Sequence, residues 1–75
     1  MAVYQDSSFL IHCDHFDFNV KLAPGTKASV SGIYRCICCG QEIVAEKGQL
    51  LPEHDEHIHG FELGPACWQL IVFVL

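Results

Sequence analysis

From Phe16 the chain alternates. Phe16, Phe18, Val20 and Leu22 fall on one side, and His15, Asp17, Asn19 and Lys21 on the other. A period of two over that length predicts a half-buried strand. Ahead of it, Met1 to Ser8 is polar apart from Val3 and Tyr4, which predicts little regular structure. Ala23-Pro24-Gly25-Thr26-Lys27 reads as a turn or linker. It separates an N-terminal extension, residues 1–23, from a unit spanning 24–75. Ser31-Gly32 punctuates again. Ile33 to Cys36 then predicts a short strand and Gln41 to Ala45 its return, a hairpin with Cys36–Gly40 at the tip. Lys47-Gly48 makes a turn, and Leu50-Leu51-Pro52 heads back toward that tip. Residues 53–60 are acidic and histidine-rich without apolar periodicity, so they predict a loop. Residues 60–65 read as irregular. Cys67 to Leu75 is rich in β-branched and aromatic residues and gives the clearest strand signal in the chain. No segment has a helical period. The fold class expected is mostly β, small and antiparallel.

The last six residues, Leu70 to Leu75, are all apolar. Such a run cannot alternate in and out, so both faces of the strand need covering. The strand over Phe16–Leu22 is one candidate cover and a second chain is the other. Left open, the strand would be an aggregation hazard. This predicts a homodimer or a protein partner through the C-terminal strand, with Trp68, Leu70, Val72, Phe73 and Val74 at the interface. The same run is far shorter than the roughly 20 residues that span a bilayer. Phe9-Leu10-Ile11 is likewise too short for a secretory signal, and Asp6 precedes it with no basic residue. The expectation is a cytoplasmic protein with no membrane segment.

Size leaves the hydrophobic core marginal on its own. A chain of 75 residues buries only about 60–65% of its unfolded surface. Chains this short often add a disulfide, a metal or a partner subunit. Five cysteines are an odd number for a disulfide framework. Cys36 and Cys39 are spaced C-x-x-C, and Gly40 follows. That is the layout of a metal knuckle, in which a tight turn brings two thiolates to one point and glycine supplies a positive φ. The supply of further ligands is His54, His57 and His59. His57-x-His59 puts two imidazoles on one side of an extended segment, whereas His54-x-x-His57 has the spacing of a second knuckle. Cys67 replaces one histidine if the final strand begins near the metal. Cys38 is either a bystander or, as Cys36-x-Cys38, half of an alternative pair. Gly40 directly after Cys39 favours Cys36 with Cys39. A thioredoxin-type C-x-x-C would need a βαβ setting, which the pattern lacks. His12, Cys13 and His15, with Asp14 or Asp17, form a second small cluster. There the simpler reading is a Cys13 buried on an apolar face.

Charge then narrows the partners. Four basic residues stand against nine acidic ones, a net charge of −5. Zinc held by two thiolates and two neutral histidines leaves that unchanged. Lys21, Lys27, Arg35 and Lys47 are scattered, whereas phosphate binding wants them clustered. A nucleic-acid-binding ribbon, with Tyr34, Arg35 and Trp68 against a strand, is the alternative that this balance opposes. A metal-dependent hydrolase needs an open coordination position and a base such as Glu53, Asp55 or Glu56. Four soft ligands and so small a domain point instead to structural zinc and no enzyme.

The string from Ser31-Gly32-Ile33-Tyr34-Arg35-Cys36 through Cys39-Gly40-Gln41-Glu42-Ile43 resembles small bacterial stand-alone zinc-ribbon proteins with a rubredoxin-like knuckle. Gly48, Leu51-Pro52, the histidine cluster and Trp68-Gln69-Leu70-Ile71-Val72 extend the likeness. It covers roughly Pro24 to Val74. The resemblance implies a zinc-ribbon-like domain with one structural Zn2+, bound by Cys36, Cys39, His57 and His59. In that family pattern a histidine stands where this chain has Glu56, and none where it has His54. The function implied is that of a small interaction or scaffolding module.

Overall fold

The computed structural model describes residues 1–52 and 67–74. The readings made on His54, His57 and His59, on Glu53, Asp55 and Glu56, and on the rest of 53–66 and 75 lie outside the described residues.

The mostly β, antiparallel expectation holds. Four strands, β1 (Lys21–Leu22), β2 (Gly32–Cys36), β3 (Glu42–Ala45) and β4 (Trp68–Phe73), form one sheet in the order β1-β4-β2-β3. In β2, Gly32, Tyr34 and Cys36 are buried, while Ile33 and Arg35 between them are partly exposed. The β2–β3 hairpin sets Ile33 opposite Val44 and Arg35 opposite Glu42. The predicted turn lies at its tip. The Cys36 N–H donates to the Gln41 carbonyl at 2.8 Å, and the Gly40 N–H to the Cys36 carbonyl at 2.7 Å. Gly40 has φ +85°, a conformation that a side chain disfavours.

A bulge divides the apolar run of β4 between the two faces of the sheet. Leu70 lies opposite Tyr34, but Val72 lies opposite Ile33, so Ile71 is the extra residue. A bulge shifts the alternation by one position. Trp68, Leu70 and Phe73 therefore serve the core, while Ile71 and Val72 line the opposite face with Ile33. The core holds Ala28, Tyr34, Cys36, Ala45, Leu51, Trp68 and Leu70. The Tyr34 hydroxyl donates to the Val30 carbonyl at 2.7 Å, which satisfies a polar group that burial would otherwise penalise.

Gly32 shows how closely β2 and β4 approach. A Cβ there would overlap the Val72 carbonyl oxygen and press on Leu70 Cδ1. Gly32→Ala is expected to cost about 2–3 kcal/mol, because backbone rather than a yielding side chain blocks the way. A denaturant titration of the variant checks this.

The N-terminal strand is present but shorter than the alternation predicts. Phe16–Asn19 is a 3-10 turn, and only Lys21–Leu22 pairs with β4. The cause is local. His15 Nδ1 accepts the Asp17 N–H at 3.2 Å, the Phe18 N–H donates to the His15 carbonyl, and the Val20 N–H donates to the Asp17 carbonyl. Such short-range bonds compete with a sheet ladder. Phe18 and Leu22 still reach the core, but Phe16 and Val20 are exposed. The 23–27 turn does not part the chain either. Gly25 and Ala28 donate to the Leu51 and Gln49 carbonyls, and Leu51 donates to that of Thr26. β1 joins the same sheet from the other side of the turn.

Candidate metal centre

The knuckle sits where β2 ends. Cys36 is buried in the core, Cys38 and Cys39 are exposed on the turn, and Cys67 is half-buried. Cys67 comes alongside because β4 pairs Trp68 with Cys36. Its carbonyl accepts the Ile37 N–H at 2.9 Å. The final strand thus begins beside the turn, the condition set for Cys67 to act as a ligand. Partial desolvation raises the Cys38 thiol pKa above its ordinary value, and the neighbouring Cys36, Cys67 and Cys39 sulfurs raise it further. Four of the five cysteines therefore share one electrostatic neighbourhood. Among the described residues, no three His, Cys, Asp or Glu side chains converge to hold a metal ion by themselves.

The residues that flank 53–66, Pro52 and Cys67, are both hydrogen-bonded to this part of the fold. On the near side, the fully buried Trp68 donates its indole N–H to the Pro52 carbonyl at 3.0 Å. On the far side stands the Cys67–Ile37 hydrogen bond. Trp68 itself faces Cys36 across the sheet. The sequence marked Leu51-Pro52 as a return toward the tip but did not show that an indole would clasp it.

An ion pair braces the hairpin behind the turn. Arg35 Nη1 donates to Glu42 Oε2 at 2.8 Å, and the Met1 amino group lies 3.5 Å from Glu42 Oε1. The Arg35 guanidinium also flanks Gly40, where an added Cβ would stand 3.0 Å from Nη2. Desolvation pushes the Glu42 carboxyl up. The Arg35 hydrogen bond, the amino terminus, the Ala2 N–H and the Arg35 charge together outweigh it and leave the group below its ordinary value. An acid whose folded-state pKa is depressed stabilises the fold above its unfolded value and loses that contribution as pH falls through the folded one. Melting temperatures on an acid series should therefore fall more steeply for the wild type than for Glu42→Gln.

Other sequence-predicted residues are placed as follows. Cys13, expected on a buried face, is exposed. His12 lies 3.6 Å from Asp14 and His15 3.5 Å from Asp17, as two local pairs. Trp68 and Leu70, expected at an interface, are buried in the chain's own core. Phe73 packs on that core beside Phe18, with ring centroids 6.4 Å apart. Val72 lines the opposite face and Val74 is exposed. Tyr34 and Trp68, offered as stacking partners for nucleic acid, are fully buried, and Arg35 is engaged with Glu42. Among the described residues, no helix is long and apolar enough to cross a membrane.

No family model matches the chain, and no solved structure matches it. A curated relative does. Protein L of Escherichia coli is 34% identical over 76 aligned positions, which cover 96% of this chain and 86% of the relative. This chain belongs to the Protein L family. Because the match to Protein L spans nearly the whole chain, it takes in the N-terminal extension together with the hairpin and knuckle. The resemblance drawn from the motifs alone left that extension out.

Proposed function

We propose that this chain is a small cytoplasmic module folded around one structural zinc ion and serving as a protein–protein interaction or scaffolding piece. The observation that supports the reading is the anchorage of the two residues flanking 53–66, Pro52 to Trp68 and Cys67 to Ile37 in the cysteine turn. That segment holds His54, His57 and His59. Cys36 and Cys39 supply one ligand pair and His57 and His59 the other, with His54, Cys67 and Cys38 as alternates. Structural zinc takes four N or S ligands in two close pairs. Thiolate and imidazole are the soft donors that suit it. The metal substitutes for core that a chain of this length cannot build. The role is structural because two cysteines and two histidines leave no position for substrate.

Native mass spectrometry of protein purified without added metal tests the reading. One zinc per chain is expected, lost when Cys36 and Cys39 are both replaced by serine. Metal-free protein that is fully folded would overturn it.

A further inference from the structure

We propose that residues 3–16 form an arm that joins two copies of this chain, the arm of each packing on the outer sheet face of the other across a twofold axis. This rests on the interaction role given above and names its partner, and it does not depend on the zinc site.

The outer face of the sheet is apolar. Ile33, Ile71 and Val72 floor a groove of about 470 Å³, with Arg35 and Glu42 at one end. Val44 stands beside Ile33 on β3, 75% exposed. The chain's own N-terminal residues edge this groove without filling it. Val3, which lines it, is still 92% exposed, and Phe9 and Ile11 outside it are 84% and 88% exposed.

The arm is built, not merely loose. Asp6 Oδ1 accepts the Ser8 N–H at 2.9 Å and the Ser8 hydroxyl at 2.7 Å. The Phe9 N–H donates to the Asp6 carbonyl and the Leu10 N–H to that of Ser7. These bonds make a 3-10 turn over Ser7–Phe9 that packs on none of the strands. The turn therefore holds Phe9 out for something else, and an ordered apolar tip costs little entropy when it binds.

Area and charge indicate the occupant. Tyr4, Phe9 and Phe16 are mostly exposed, and aromatic side chains of this kind carry roughly 400 Å² between them. With Val3, Leu10, Ile11 and Val44 the surface offered is about 800 Å² per chain, the size of a standard interface. Residues 1–16 contain no Lys or Arg and two aspartates, Asp6 and Asp14. That opposes docking on an anionic membrane. Arm and groove lie on one chain and share one chemistry, so a twofold axis matches each to the other twice.

Sedimentation velocity on the intact protein across a dilution series, alongside native mass spectrometry, decides the matter. The expected result is a dimer that dissociates on dilution. Replacing Phe9 and Ile11 together by serine should weaken dimerisation at least about 100-fold, with circular dichroism and zinc content unchanged. Deuterium exchange on the wild type should show residues 3–16 protected at high concentration and exposed at low. A wild-type monomer at every concentration overturns the proposal. So does a double variant that still dimerises, exchange in the arm that ignores concentration, or a monomer that sediments with phosphatidylcholine vesicles. A zinc-loaded monomer would remove the dimer alone, and a metal-free dimer would remove the zinc reading alone.

Discussion

Stripping zinc from this chain with a chelator is expected to unfold it. Binding of structural zinc supplies on the order of 10 kcal/mol in small domains. Whole domains are stable by only about 5–15 kcal/mol. On the zinc reading proposed above, the metal would decide whether the chain folds, not how well. Cys36 belongs to the buried core and faces Trp68 across the β2–β4 ladder, so a metal held there would be tied to the core and not to a surface appendage. Cys39→Ser should have the same effect as the chelator. Cys13→Ser should have none, since Cys13 is exposed and far along the chain from the knuckle. Circular dichroism melts with and without chelator, followed by zinc addition, measure this. A melting point indifferent to the chelator would end the metal reading.

Trp68→Ala is expected to be the most damaging substitution outside the ligands. The side chain is fully buried, and removing a buried Trp typically costs about 3–5 kcal/mol. The Pro52 carbonyl, which accepts the indole N–H at 3.0 Å, would also lose its partner. For a chain of this size such a loss lowers the melting temperature by roughly 15–30 °C. Trp68→Phe separates the two contributions. It keeps most of the volume and should cost about 1–3 kcal/mol, mainly the orphaned carbonyl. It should also weaken zinc, because it unfastens one end of 53–66 and leaves the other in place. Zinc titration of Trp68→Phe with a competing chelator reads that effect apart from stability.

Much of the sheet was legible because its cues are local. Gly32 through Cys36 alternates, Gly40 and Gly48 mark turns with φ of +85° and +88°, and β4 is apolar throughout. The tight turn at the hairpin tip was equally plain from Cys36, Cys39 and Gly40. The extent of the N-terminal strand was not, since four alternating apolar residues look the same whether a ladder or a 3-10 turn holds them. His15 and Asp17 tipped that balance through bonds two and three residues long. The need to cover both faces of β4 was readable, but the answer was not. It depends on a bulge at Ile71 and on residues near Met1 meeting residues near Leu70, which is tertiary information. Cys67 shows the boundary well. Its identity as a candidate ligand was visible, whereas its place beside Ile37 required the β2–β4 register.

The two clasps at Pro52 and Cys67 bear on how this chain tolerates change. A connection whose two flanking residues are held together by the surrounding fold has part of its closure entropy settled whenever the chain is folded. Lengthening such a connection is then nearly harmless, since each doubling adds only about 0.6 kcal/mol to the cost of closing it. Insertions and deletions among homologues should therefore accumulate between Pro52 and Cys67, outside the stretch that carries His54, His57 and His59. Spacing within Cys36–Gly40, where one residue more would break the turn, should stay fixed.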